Sequence, residues 1–281
     1  METVTSFRLT TLGHPQRMAI FRLLMRRYPD AVPAGELAEA LGIKASTMSA
    51  YLSALMRTGL VRQERIATSL RYSADMAVVR QTFDFLLLDC CRGRPDLCAS
   101  IDPNSRAGAE IRAGGKLNVL FICTGNSARS IFAECILRAT AADRFNVYSA
   151  GTRPGSQINP FALRILKDKG HDVAGLRSKD ISEFSGLGAP HFDFVFTVCN
   201  QAANEECPAW EGQPVTGHWG LPDPVKVEGT EAQKALAFQE AYGALRHRIE
   251  LFTALGAESL NRVALQAGID DIGRTPVRRL P

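Results

Sequence analysis

Along the first 90 residues the apolar positions recur mostly at helical spacing. After His14-Pro15 the run Met18, Ile20, Phe21, Leu23, Leu24 and Met25 predicts a buried helix. Pro33 to Leu41 predicts a second helix, and Gly42-Ile43-Lys44 predicts a turn. A third helix is predicted from Ala45 to Leu55, with Gly59 as its stop. Two short helices around a glycine-containing turn are the helix-turn-helix layout. Val61 to Tyr72 alternates in character and carries Arg62, Arg65 and Arg71, which predicts a two-stranded wing. A further helix is predicted from Asp75 to Cys91, apolar at Val78, Val79, Phe83, Leu86 and Leu87.

The pattern then changes. Ala99 to Lys116 is rich in Ala, Gly, Ser and Asn without periodicity and reads as a linker. Leu117-Asn118-Val119-Leu120-Phe121-Ile122 is a nearly continuous apolar run, as in a strand covered on both faces of a parallel sheet. Predicted elements continue with a helix from Ser130 to Ala142, a strand from Phe145 to Ala150 and a helix from Asn159 to Lys169. A strand from Phe192 to Val198 and a long helix from Glu231 to Leu255 complete the set. Alternating strands and helices predict an α/β sheet with crossover helices. The expected organisation is a mainly α winged helix-turn-helix domain over residues 1–98, a linker over 99–116, and an α/β domain with a parallel sheet over 117–281.

Composition adds three points. A chain of 281 residues is comfortable for two domains. The net charge of +4 is unevenly placed: residues 1–100 hold 13 Lys+Arg against 9 Asp+Glu, leaving 20 of the 33 basic and 20 of the 29 acidic residues for the remainder. The surplus therefore sits with the helix-turn-helix pattern, where it suits phosphate contact. Seven cysteines are an odd number, which argues against a complete disulfide scaffold. Met1-Glu2-Thr3-Val4-Thr5 lacks a basic-then-apolar signal pattern, and apolar runs such as Phe85-Leu86-Leu87-Leu88 are too short to span a bilayer. A reducing cytoplasm and no membrane partner are expected, a setting in which cysteines are more often catalytic or ligating than structural.

The strongest chemical signal is Cys123-Thr124-Gly125-Asn126-Ser127-Ala128-Arg129-Ser130, between a predicted buried strand and a helix. A short loop entering a helix aims backbone N–H groups at one point, and the helix dipole adds positive potential there. Gly125 and Asn126 are expected in the left-handed conformations such a nest requires. Arg129 offers a bidentate fork to an oxyanion, and Ser130 a hydrogen bond to sulfur. The same field is expected to lower the Cys123 thiol from its ordinary value. Cys135, on the following helix, reads as packing.

This loop resembles that of the low-molecular-weight protein tyrosine phosphatase superfamily, and the form Cys-Thr-Gly-Asn-Ser-x-Arg-Ser resembles its arsenate reductase branch, over about Leu117 to Gly273. The resemblance implies that Asp223, in His218-Trp219-Gly220-Leu221-Pro222-Asp223-Pro224, is the general acid protonating the departing oxygen. It also implies a three-cysteine relay. Cys123 takes up arsenate, Cys199 attacks Cys123 as arsenite leaves, and Cys207 attacks Cys199 to present a disulfide to an external reductant. A simple phosphatase would need neither extra cysteine and would carry tyrosines where this chain has Val225-Lys226-Val227. Two departures leave the reductant open between thioredoxin and glutathione with glutaredoxin. The Cys199–Cys207 spacing is one residue longer than in the best-known three-cysteine enzymes, and position 128 is Ala where that group often has Cys.

The N-terminal segments Leu12-Gly13-His14-Pro15-Gln16-Arg17, Gly35-Glu36-Leu37-Ala38 and Ser46-Thr47-Met48-Ser49-Ala50-Tyr51-Leu52 resemble the winged-helix ArsR family of metalloid-responsive repressors, over about Phe7 to Cys98. The resemblance implies a homodimer on a palindromic operator, with Ser46, Thr47, Ser49 and Tyr51 facing the groove and Arg62, Arg65 and Arg71 on or near the wing. Cys90, Cys91 and Cys98 are three thiols on one short segment, which suits a soft three-coordinate ion such as arsenic(III) as effector; zinc usually takes four ligands. The combined expectation is an arsenate reductase fused to an arsenite-responsive repressor. The alternatives are a phosphatase fused to a repressor, and a regulator whose second domain binds oxyanions without chemistry.

Overall fold

The computed structural model describes residues 2–92, 115–155, 157–186, 188–205, 210, 214–256 and 262–276. Cys98 and Cys207 lie outside the described residues. The chain divides into two units, residues 1–105 and 106–281.

In the N-terminal unit, α1 (Glu2–Leu12) precedes α2 (Pro15–Arg27), which has Pro15 in its first turn, where a missing N–H costs nothing. A two-residue strand β1 (Val32–Pro33) leads into α3 (Ala34–Leu41), capped by Gly42 at φ 63°. Then come α4 (Ala45–Arg57) and the hairpin β2 (Val61–Ile66) and β3 (Ser69–Ala74), paired Val61↔Ala74 to Ile66↔Ser69. The sheet order is β1-β3-β2, so the wing has a third, very short strand that the sequence pattern does not announce. Ile20, Leu23, Leu24, Leu37, Met48, Leu52 and Leu55 form the core between these helices.

Helix α1 lies almost wholly before the first predicted element. It is fastened by the buried Arg8, whose guanidinium donates to the Thr58 carbonyl, Gln81 Oε1 and Thr82 Oγ1. The single helix predicted from Asp75 to Cys91 is two pieces. Asp75 caps α5 (Met76–Asp84) through Ala77 N and Val78 N, and a π-helical turn over Phe85–Cys90 follows. That turn has no buried residue, and Phe83 and Leu88 are exposed rather than core.

In the C-terminal unit four strands run parallel in the order β5-β4-β6-β7: β4 (Leu117–Cys123), β5 (Phe145–Gly151), β6 (Phe194–Thr197) and β7 (Val215–His218). Six of the seven β4 residues are buried, as the unbroken apolar run requires. The helices are α6 (Arg129–Thr140), α7 (Pro160–Asp168), α8 (Asn200–Asn204), α9 (Glu231–Ala254) and α10 (Arg262–Arg274). Asn159 caps α7, and Thr230 with Gln233 forms a capping box on α9.

The chain leaves β4 toward β5, then crosses back over β4 to reach β6. The strand order therefore reverses between β4 and β6. In open parallel sheets a ligand crevice forms at such a point, outside the carboxyl ends of the strands. The register Ile122↔Thr197 places Cys123 and Cys199 at those two ends.

Candidate active site

The loop from Cys123 to Ala128 joins β4 to α6 and is shaped from outside. Thr152 N donates to the Cys123 carbonyl (3.0 Å), Arg153 N to Thr124 (2.9 Å), Gly155 N to Gly125 (3.1 Å) and Asn159 N to Ser127 (2.9 Å). In a trans peptide the carbonyl of one residue and the N–H of the next point in opposite directions. With four carbonyls turned outward to the segment after β5, the N–H groups of Thr124, Gly125, Asn126 and Ala128 turn the other way. The Asn126 N–H does reach Cys123 Sγ at 3.2 Å. The result is a cradle of amide donors at a helix N-terminus, an arrangement that could accept an oxyanion.

Asn126 is the residue with positive φ (43°); Gly125, expected to share that conformation, does not. The buried Asn126 side chain explains why an asparagine is used there. Its Nδ2 donates to Ser130 Oγ (2.8 Å) and Ser149 Oγ (2.9 Å), and its Oδ1 accepts from Lys179 N (2.7 Å). Behind it, Ser149 Oγ meets Glu134 Oε2 at 2.5 Å, and Lys179 Nζ reaches the same oxygen at 3.0 Å. Arg138 pairs with the other Glu134 oxygen. A buried carboxylate so supplied with donors is compatible with a dry interior. No sequence signal marks Glu134, Ser149 or Lys179, because they come from three separate elements. Glycine is required at Gly151, where a Cβ would stand 2.7 Å from the Thr124 carbonyl oxygen.

Cys123 is buried, and its sulfur lies 2.9 Å from Ser130 Oγ. The thiol does not sit below its ordinary value as the loop chemistry alone predicts. Burial pushes it up, the nearby Cys199 adds to the rise, and Ser130 and Arg129 pull it back only in part. Arg129 is also engaged elsewhere. Its guanidinium donates to the Leu221 carbonyl (2.9 Å) and pairs with Asp223 Oδ2 (2.8 Å), so an opposing carboxylate shares its charge. Asp223 therefore lies against the arginine of the cradle. Its other oxygen caps the following 3-10 turn through Val225 N at 3.2 Å.

Cys199 is buried just past β6, at the N-cap of α8, with its sulfur accepting from Ala202 N and lying 3.4 Å from Thr124 Oγ1. The hydroxyl of the cradle thus touches the second thiol. His218, at the end of β7, is buried, with Nδ1 2.8 Å from Thr197 Oγ1 and Nε2 3.3 Å from Asn200 Oδ1. Cys135 is buried on α6.

In the N-terminal unit Ser46 and Ser49 are exposed and Thr47 half-buried on α4. Tyr51 is half-buried: its hydroxyl lies 2.6 Å from Gln16 Oε1 and its ring 5.0 Å from that of His14. Arg62 donates to Ser73 Oγ (3.0 Å) and Arg71 to the Ala31 carbonyl (3.4 Å), while Arg65 is exposed near the hairpin tip. Cys90 is exposed and Cys91 half-buried at the end of the π-helical turn. Among the described residues no group of three His, Cys, Asp or Glu side chains forms a metal cluster, and no helix is long and apolar enough to cross a membrane.

Known proteins match both units. The profile of the low molecular weight phosphotyrosine protein phosphatase family matches residues 118–263, and that of a helix-turn-helix domain matches residues 12–64. The arsenate reductase of Bacillus licheniformis is 36% identical over 141 residues, covering 50% of this chain and 98% of the relative. That of Bacillus subtilis is 34% identical over 138 residues, covering 49% and 96%. Among solved structures, a thioredoxin-dependent arsenate reductase of Corynebacterium glutamicum is 22% identical with a TM-score of 0.40, covering 80% of this chain and 96% of that one. A buried cysteine and arginine on one loop, the reversed strand order around it and a family profile spanning more than half of the residues agree: behind a helix-turn-helix domain, the chain belongs to the low molecular weight phosphotyrosine protein phosphatase family.

Proposed function

We propose that the C-terminal unit reduces arsenate to arsenite through a thiol relay, and that the N-terminal unit is a DNA-binding repressor released by arsenite. The observation that carries the first half is the second thiol. Cys199 sits at the same sheet end as Cys123, against the Thr124 hydroxyl of the cradle. A hydrolytic enzyme has no use for a thiol there, and relatives at 34–36% identity are named arsenate reductases.

In this reading arsenate enters the cradle and competes with Asp223 for Arg129. The Cys123 sulfur attacks arsenic. One arsenate oxygen leaves as water, taking the thiol proton and the proton of the monohydrogen dianion, with Asp223 handling the transfer. A Cys123 sulfur–arsenic bond replaces an arsenic–oxygen bond. Cys199 sulfur then attacks Cys123 sulfur. A disulfide forms, the sulfur–arsenic bond breaks, and its electron pair stays on arsenic, which departs as arsenite. Cys207 attacks Cys199, restoring Cys123 and leaving a Cys199–Cys207 disulfide for an external dithiol such as thioredoxin, or for glutathione with glutaredoxin. Single-turnover mass spectrometry with arsenate and no reductant tests this. The expected product is one arsenite and a Cys199–Cys207 disulfide per chain. Hydrolysis of an aryl phosphate with no arsenate-dependent loss of thiols would replace the reading with a phosphatase; binding without either reaction would leave only an oxyanion-binding regulator.

For the N-terminal unit, the helix-turn-helix profile and the exposed Ser46, Ser49 and Arg65 support duplex DNA as partner. Val4, Phe7, Phe83 and Leu88 are exposed on α1, α5 and the π-helical turn, with Phe7 65% and Leu88 68% accessible, which supports a homodimer through these elements. Cys90 and Cys91, with Cys98, are the proposed arsenic(III) ligands. Operator binding by duplexes selected from a random pool should weaken on adding arsenite in the wild type and not in Cys90→Ser. Arsenite-insensitive binding by the wild type would remove the sensor role.

A further inference from the structure

Helix α10 lies almost entirely beyond residue 263, where the family profile ends. It packs on the edge strand β7 through the buried Leu265, Ile269 and Ile272. Gly217 makes the approach possible: a Cβ there would stand 2.6 Å from Ile269 Cγ2. Three polar attachments follow in order along the chain from β7 toward Asp223. Gln266 Nε2 donates to the Thr216 carbonyl (2.9 Å), satisfying an acceptor on the open edge of the sheet. Trp219 Nε1, fully buried, donates to the Ile269 carbonyl (3.3 Å). Arg248 on α9 then joins the two segments. Its Nη1 donates to the Gly220 carbonyl, and its Nη2 to the Gly273 and Thr275 carbonyls, each at 3.4 Å. Gly273 and Thr275 lie at the carboxyl end of α10, where unsatisfied carbonyls and the helix dipole favour a cation.

The next carbonyl, Leu221, accepts from Arg129, which also holds Asp223. One guanidinium therefore fixes the acid loop at Gly220 and another at Leu221 and Asp223. We propose that α10, acting through Arg248, is a built-in clamp that sets the position of Asp223, making Arg248 a positioning residue for proton transfer. The proposal rests on the reading of Asp223 as the acid.

The test uses the full-length protein and its Arg248→Met and Arg248→Lys variants. Arsenate turnover is followed with a thioredoxin system across pH, and hydrogen exchange of the amides from Trp219 to Val227 is followed in parallel. Displacing a catalytic group by about an ångström costs on the order of a hundredfold, so Arg248→Met should lower kcat by roughly 10- to 100-fold with KM little changed. The pH profile of kcat should change shape, and the acid-loop amides should exchange faster. Arg248→Lys should recover part of the rate. Arg248 lines a groove of about 720 Å³ with Lys169, Tyr242 and Thr275, so added guanidinium ion should restore part of the Arg248→Met rate. Trp219→Phe, which removes the indole donor to Ile269 and some ring volume while keeping an aromatic ring, replaces Arg248→Met if that variant does not fold. Folded variants with unchanged kcat, pH profile and loop exchange would overturn the clamp. Faster loop exchange in a protein whose wild type does not turn over arsenate would keep the clamp and remove the reaction.

Discussion

The two cysteine-bearing regions are built in opposite ways. Cys123 is 2% exposed, with its sulfur held by Ser130 and an amide of its own loop, and Cys199 is 1% exposed beside it. Their surroundings are complete before any oxyanion arrives. Cys90 ends an exposed π-helical turn with no buried residue, and Cys91 follows it half-buried. A catalyst gains from groups fixed in advance, because ordering them at the moment of reaction costs rate. A sensor gains from ligands that the effector itself organises, because only a difference between bound and free states can move an equilibrium. In the proposed reading the buried pair takes the first task and the segment with the exposed Cys90 the second.

The sharpest way to break this contrast is to exchange thiols for hydroxyls on both sides. Cys123→Ser should lower arsenate turnover by at least about a thousandfold, since a hydroxyl in that burial is a far weaker nucleophile. Cys90→Ser should leave turnover within about twofold, because Cys90 belongs to the other unit. Turnover rates from arsenite release measure both. Comparable losses in the two variants would mean that the units share one reaction and that the contrast is false.

If the cradle is preformed, its framework should carry stability as well as activity. Asn126→Ala removes two buried hydrogen bonds and one part-buried one, and leaves a residue without a side-chain partner at φ 43°. The expected loss of folding stability is about 3 kcal/mol, read from urea unfolding. A loss below about 1 kcal/mol would show that the four backbone bonds from the segment after β5 hold the loop unaided.

What the sequence shows and hides follows from the same geometry. The loop from Cys123 to Ser130 is contiguous and lies between an apolar run and a helix, so its place is legible in the sequence while its inner geometry is not. The shell of Glu134, Ser149 and Lys179 converges from three elements, so no local pattern announces it. Gly125 reads as the flexible position because glycine is permissive. Asn126 takes the positive φ because its side chain has three partners there. The strand β7 is only Val215-Thr216-Gly217-His218, too short for alternation to register, and its glycine marks the approach of α10 rather than a turn. The raised Cys123 thiol escapes a local reading because burial and Cys199, from a distant part of the sequence, push it up by more than Ser130 and Arg129 pull it down.

Burial of thiols also predicts a pH dependence of folding. Cys135, 3% exposed and next to Glu134, is pushed up to about 12 from 9.0. The folded chain holds that proton more tightly than the unfolded one. Its contribution is therefore complete below about pH 9 and is lost as pH rises toward 12, at about 1.4 kcal/mol per pH unit in between. The raised Cys123 acts in the same direction. Urea midpoints taken upward from neutral pH should fall more steeply in the wild type than in Cys135→Ala. Parallel curves would mean that the Cys135 thiol ionises as it does in the unfolded chain.

The smallest effect separates the arginines of the wing. Arg62 and Arg71 donate into their own unit, to Ser73 and to the Ala31 carbonyl, whereas Arg65 stands exposed beside the hairpin tip. A phosphate contact made by an exposed cation adds affinity without sequence preference and releases about one counterion. Arg65→Ala should therefore weaken duplex binding several-fold at all sequences and reduce the salt slope by about one. Arg71→Ala should lower the melting temperature of the unit while changing that slope little, because its guanidinium holds the segment before β1 to the sheet. Anisotropy titrations at several salt concentrations distinguish the two. A reduced slope in Arg71→Ala at wild-type stability would move the DNA contact from the hairpin tip to the base of the wing.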